Sequence, residues 1–300
     1  MNPTRDLAVV LALLGASAIV PLMGGDYWIG VGISTFMWVA LTQSWSLLSG
    51  LSGYVSLGHV VFYGLGTYIV VTSWEVVPIA VALALAAGAA AVFAFVTGMP
   101  VLRVRGPYFV ILTFGIAELV KFVVMAAEAA AGNASRLILG TPEIETLFFL
   151  MLGLAAAATV LAWGVRVSRL GHGLRAIRED EEAAETLGVP VARYKLLAFV
   201  LSACIPGAVG GVMALRNTYF EPLQAFDPMI SFSMIAMAVI GGSDDLRGPV
   251  VGTAFFVFLS EMLWANAPQV YMMMLGILLV LFVLFVPEGL CGRLFRARTA

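Results

Sequence analysis

Charged side chains are scarce in this 300-residue chain, 11% against 61% hydrophobic, so the places where they gather mark where chemistry can be done. Arg169 to Lys195 holds five of the 16 basic and five of the 18 acidic residues. Glu118 and Lys121 lie three apart inside an apolar run and would share one helix face. Ser49 to His59 (SGLSGYVSLGH) is dense in glycine and serine. None of these is a catalytic pattern. No G-x-x-x-x-G-K-[ST] occurs, and the only lysines, Lys121 and Lys195, do not follow a glycine, so the usual phosphate-binding loop is missing. Cys204 and Cys291 lie far apart without metal-ligand spacing, which points to neither a disulfide framework nor a metal site. A net charge of −2 argues against a nucleic-acid partner. The chemistry left to these groups is charge pairing, docking of a partner, and exposure of backbone and hydroxyl groups to a wet path.

The elements that must position them are membrane helices. An ordinary soluble domain carries about a quarter charged residues. A span needs ~20 apolar residues to cross a ~30 Å hydrocarbon core, and ten such segments would use most of this chain. The first, Leu7 to Met23, could be a signal peptide with Ala16-Ser17-Ala18 as cleavage site; a retained span is favoured because nine more follow. Those nine run about Ile29–Leu48, Val55–Ser73, Val76–Gly98, Pro107–Ala131, Thr146–Val167, Leu196–Leu215, a short one reaching Gly242, Val250–Trp264 and Val270–Val286. The expected fold is therefore all-α: a polytopic integral membrane protein of about ten (8–10) transmembrane helices, with residues 1–300 a single domain.

Ten crossings put Arg5, Arg103, Arg105, the Arg166–Lys195 group, Arg247, Arg293, Arg296 and Arg298 on one side. The other side keeps only Arg136 and Arg216, beside Glu143, Glu145, Glu221 and Asp227. The positive-inside rule makes the first side cytoplasmic, with both termini and the polar interval. Within that interval a helix over Arg175–Gly188 is expected, preceded by Gly171 and Gly173 and stopped by Gly188 and Pro190. On a 100° wheel Leu174, Ala176, Ile177, Ala183, Ala184 and Leu187 fall on one half. Arg175, Arg178, Glu179, Glu182 and Glu185 fall on the other, while Asp180 and Glu181 intrude on the apolar half. A solvated loop helix is the plain alternative to a docking helix. Ser52, Gly53, Tyr54, Ser56 and His59 permit either close packing or a broken helix along a translocation path. Glu118 and Lys121 read as an intramembrane ion pair holding the bundle together, in preference to a direct transport role.

Glu182-Ala183-Ala184 with Gly188 (E-A-A-x-x-x-G) resembles the cytoplasmic EAA loop of ABC importer permeases, although Ala198-Phe199-Val200-Leu201 replaces its usual I-x-L-P ending. The wider string Arg175–Val189 (RAIREDEEAAETLGV) with Lys195–Phe199 (KLLAF) is similar to the branched-chain amino acid branch, of the LivM type. So are Gly53-Tyr54-x-Ser56-Leu57-Gly58, Arg105-Gly106-x-Tyr108-Phe109 and Phe114-Gly115-Ile116-Ala117-Glu118, whereas Asp244 stands where that family carries a glycine. The resemblance, over roughly residues 30–290, implies a permease domain whose 168–195 segment is the cytoplasmic coupling loop. It assigns ATPase coupling to Arg175, Arg178, Glu182, Ala183, Ala184 and Gly188. It implies no cofactor of the chain's own, since partner subunits bind ATP. The implied partners are a second, LivH-type permease, two ATP-binding cassette subunits, an extracytoplasmic solute-binding protein, an amino-acid substrate and the lipid bilayer. The location implied is the bacterial or archaeal cytoplasmic membrane. Urea, amide or aromatic-acid cargo is an alternative within the family, and a proton-coupled secondary transporter using Glu118 and His59 is an alternative outside it.

Overall fold

Small residues decide where this helical chain closes on itself. The computed structural model describes residues 3–23, 25–132, 135–266 and 276–277. In chain order the helices are α1 (Pro3–Ser17), a 3-10 turn (Val20–Met23), α2 (Asp26–Ser52), α3 (His59–Ser73), α4 (Ile79–Val101) and α5 (Pro107–Ala130). Then follow α6 (Ile144–Val167), α7 (Arg169–Glu179), α8 (Glu181–Thr186), α9 (Val191–Asn217), α10 (Pro222–Ala225), α11 (Pro228–Gly241) and α12 (Gly248–Asn266). One antiparallel strand pair joins β1 (Arg136–Leu137) to β2 (Tyr219–Phe220). Among the described residues α4, α5, α6, α9 and the Pro222–Gly241 segment are long and apolar enough to cross a membrane.

Helix α9 is the axis, packed against α3, α4, α2 and α6. Ala82, Ala86, Ala90 and Ala94 repeat every fourth residue on α4, and all four are fully buried. That spacing makes a smooth stripe on which α9 can settle. A β-carbon on Gly66 of α3 would lie 1.8 Å from the Gly207 carbonyl oxygen of α9, and one on Gly210 would lie 2.1 Å from that of Tyr63. The helices touch backbone to backbone there, so dispersion contacts replace the hydrophobic effect that lipid cannot supply. Around this axis α2 packs on α6, with Phe36 edge-on to Phe148 at 5.2 Å between ring centres.

The bundle has two chemically different ends. At one, Asp6 of α1 pairs with Arg247, Arg178 pairs with Asp244, and Lys195 bonds the carbonyl of Leu102. At the other, the strand pair meets Trp74, whose indole donates to the Leu139 carbonyl, and Arg216 donates to Gly30 and Ser34.

Several expected boundaries move. The first helix is Pro3–Ser17, because the Ser17 hydroxyl turns back to the Leu14 carbonyl at 2.6 Å and Pro21 lacks the N–H needed to continue. The third begins at His59 rather than Val55, since Gly53 adopts a left-handed conformation (φ 76°) that ends α2. The expected last span, Val270–Val286, lies outside the described residues except Gly276 and Ile277, as do Cys291 and the tail arginines.

Candidate functional site

The polar interval folds as two helices, not one. The Ser168 hydroxyl accepts from the Gly171 N–H, starting α7 upstream of the glycines expected to precede it. Gly171 and Gly173 sit inside α7 because neighbours leave no room: a β-carbon on Gly173 would meet the Tyr194 ring at 2.4 Å. Asp180 then breaks the helix, and its carboxylate accepts from the N–H groups of Glu182 and Ala183, both at 3.0 Å, as the N-cap of α8. The break resets the helical phase, so the wheel drawn through Arg175–Gly188 fails beyond Glu179. Leu174, Ile177 and Ala184 are buried as that wheel requires, but Ala183 and Leu187 face outward, Leu187 with 84% of its surface exposed. Gly188 (φ 85°) closes α8, while the Val189 N–H reaches the Ala184 carbonyl at 3.0 Å.

Of the residues assigned to coupling, Glu182, Ala183 and Gly188 are exposed, together with the neighbouring Leu187, whereas Ala184 is buried. Arg175 is exposed as well and borders a cavity of about 460 Å³ with Asp6, Arg166 and Asp245. Arg178 turns the other way, to the Gly50 carbonyl at 2.8 Å and to Asp244, because Gly53 leaves space for its side chain.

Glu181, the charge that spoiled the apolar half of the wheel, is the hub. Its Oε1 accepts from Lys195 Nζ at 2.8 Å and its Oε2 from the Tyr54 hydroxyl at 2.6 Å. Arg105 stands 3.3 Å from the same carboxylate. Lys195 also donates to the Tyr54 oxygen at 3.0 Å and to the Leu102 carbonyl at 3.1 Å, so all three ammonium donors have acceptors. Burial pushes the Glu181 carboxyl up, but the hydrogen bonds from Lys195 and Tyr54 and the charges of Lys195 and Arg105 outweigh it and hold the group below its usual value. Burial first, and then the bond to this carboxylate, push the Tyr54 phenol up, keeping it a donor.

The Ser52–His59 stretch divides in two. Ser52, Gly53, Tyr54 and Val55 line a groove of about 670 Å³ whose other wall is Arg105, Pro107 and Ile111. Ser56 and His59 are fully buried. The groups freed by the helix break find side-chain partners. Trp45 donates to the Ser56 carbonyl at 2.9 Å, Thr113 accepts from the Leu57 N–H at 3.2 Å, and Ser231 accepts from the Val60 N–H at 3.1 Å. A broken helix at membrane depth needs such protein partners, and here α2, α5 and α11 provide them. His59 Nε2 lies 3.2 Å from the Ser202 hydroxyl, and its ring is edge-on to those of Phe62 and Phe199, which also touch each other.

Glu118 and Lys121 form an ion pair at 2.5 Å on α5, so His59 and Glu118 have different partners. Two further buried charges, Glu128 and Arg166, were not anticipated. Glu128, also on α5, takes two hydrogen bonds of 2.8 Å from Arg136. Arg166 is buried and donates to the Ser243 carbonyl at 3.0 Å. Among the described residues no group of three or more His, Cys, Asp or Glu is placed to hold a metal ion.

A helical bundle with membrane-length apolar helices, a broken helix and a charge-tied loop at one end defines a multi-pass membrane protein. The chain belongs to the family described as branched-chain amino acid transport system / permease component, whose model matches residues 29–283. It is similar to the high-affinity branched-chain amino acid transport system permease protein LivM of Escherichia coli K12, 28% identical over 96% of this chain and 76% of that protein. The LivM protein of Salmonella typhimurium LT2 is 27% identical over the same shares. LivH of Escherichia coli K12 is 24% identical over 62% of this chain and 59% of that protein. No solved structure matches the chain significantly.

Proposed function

We propose that this chain is the membrane-spanning subunit of an ABC importer that carries branched-chain or other hydrophobic amino acids into the cytoplasm. In this reading the chain pairs with a related permease, receives cargo from an extracytoplasmic binding protein, and binds no nucleotide itself. Two ATP-binding subunits supply the energy. The end holding Arg103, Arg105, Arg166 and the α7–α8 loop faces the cytoplasm of a prokaryotic cell, as the positive-inside rule favours.

The observation that carries this reading is the outward face of α8. Glu182, Ala183, Leu187 and Gly188 stand exposed, while the residues between and behind them, Glu181 and Ala184, are held by the bundle. Small residues there let a partner approach closely, and Leu187 offers an apolar anchor. The groove between the 52–55 segment and the start of α5 is the portion of the Ser52–His59 stretch suited to a path.

The test uses the complex reconstituted with ATP-binding subunits and binding protein in liposomes. Glu182→Lys and Gly188→Trp should leave the permease inserted but weaken docking by ~2 kcal/mol, about 30-fold. ATP hydrolysis then ceases to drive leucine uptake. Normal uptake and normal ATPase stimulation in both variants would show that the docking assignment is wrong.

A further inference from the structure

The groove beside α5 is closed by one carboxylate. Its two walls come from different parts of the chain: Ser52 to Val55 from the helix break, and Arg105 to Ile111 from the α4–α5 turn and the start of α5. Glu181 holds both. Tyr54, on the first wall, donates to it at 2.6 Å, and Arg105, on the second, lies 3.3 Å away. Lys195, in the first turns of α9, completes the set and adds the carbonyl of Leu102, the residue that caps α4. Four chain segments thus meet at Glu181, α8 among them, and α8 is a helix of six residues whose opposite face is exposed.

We propose that Glu181 is a positioning residue: the pin through which displacement of α8 sets the width of the groove between Tyr54 and Arg105. This rests on the reading of α8 as the docking helix and goes beyond it by naming the route from α8 to the membrane segments. With α8 in its present place, the carboxylate draws the two walls together. Moving α8 withdraws the shared acceptor, leaving the Tyr54 hydroxyl with its Lys195 donor but no acceptor, and Arg105 without its counter-charge. The walls then lose their common tie and the groove opens toward the loop side. Lys195 limits the travel, because its three donors are all engaged and its ring-face contact with Tyr54 (4.6 Å) ties the same wall to α9. Glu182, the adjacent residue, cannot act this way: 84% of its side chain is exposed, and its ion-pair partner among the described residues is Arg105, at 3.5 Å.

Two variants separate this role from plain support. Glu181→Gln removes the charge, and Tyr54→Phe removes only the hydroxyl while keeping the ring packed edge-on against Phe109 at 5.1 Å. Spin labels at Val55 and Ile111, in a background without Cys204 and Cys291, report the groove width in the reconstituted complex with and without trapped ATP. In the parent complex the distance should change between the two states. In both variants it should become broad and independent of nucleotide, and leucine imported per ATP hydrolysed should fall about tenfold, the worth of one charge-assisted hydrogen bond. A purely supporting role would lower the amount of complex while leaving the distance change and the ratio per complex intact, and that result overturns the pin. A parent distance that ignores ATP while leucine uptake proceeds also overturns it, without touching the transport function. Parent complex that neither binds ATP-binding subunits nor takes up leucine would instead strike the function itself, and a Val55–Ile111 distance unchanged by Tyr54→Phe in that chain alone would remove the pin as well.

Discussion

Helices α5 and α9 are alike in length and in the apolarity of their most apolar stretches, yet the structure uses them oppositely. In the most apolar window of α9 67% of residues are buried, against 33% for α5. Helix α9 presents Gly207, Gly210, Gly211, Ala203 and Ala214 to its neighbours. Helix α5 presents Tyr108, Ile111, Leu119, Phe122 and Val123 outward, each more than half exposed. In a membrane, apolarity carries a helix into the bilayer, and side-chain size then sorts centre from periphery. The charges follow the same division. The peripheral helix carries Glu118 and Lys121 paired on itself, whereas the first turns of the central one carry Lys195, bonded to three other segments.

The harshest test of that contrast replaces glycines on each helix. Gly66→Leu or Gly207→Leu should abolish the folded yield, because a β-carbon on Gly66 already collides with the Gly207 backbone and one on Gly207 with the Ala86 carbonyl of α4. Gly115→Leu on α5, with nothing within 4 Å of its β-carbon, should stay within ~0.5 kcal/mol of the parent. Size-exclusion of detergent-solubilised chains gives the comparison, and equal losses at both places would erase it. Should Gly115→Leu fold alone but fail to assemble with a related permease, the exposed α5 face is covered in the complex.

A smaller effect is expected at the pair on α5. Glu118→Gln and Lys121→Met should each destabilise by ~3 kcal/mol through a stranded charge, and the double variant should recover both yield and uptake. A double variant that folds but remains inactive would give Glu118 a direct part in transport. The mildest perturbation is a single cysteine in a chain lacking Cys204 and Cys291. At Val55, on the groove, it should react with a small aqueous thiol reagent, and at Ser202, buried beside His59 on α9, it should stay protected in every nucleotide state. Protection at both positions would make the groove dry.

Much of the helical layout was legible because membrane spans announce themselves by length. The positions of α4, α6 and α9 follow from apolar runs bounded by charge or proline, within a few residues. The loop was legible only to Asp180. A wheel assumes a continuous helix, and one capping carboxylate ended that continuity, sending Ala183 and Leu187 outward. Glu181 could have been suspected, since a charge on an otherwise apolar half requires a partner, and Lys195 is one of only two lysines. Its partners Tyr54 and Arg105, 127 and 76 positions away, could not.

The sequence by itself determined that this is a membrane protein, which end gathers the basic charge, and which loop would lie outside the bilayer, because each depends on composition and order along the chain. Only the tertiary structure decided which helix is central, which part of the 52–59 stretch lines a groove, and which of two adjacent glutamates is held inward. Those outcomes turn on backbone approach distances of a few ångströms and on hydrogen-bond partners from distant segments, which a linear pattern does not encode.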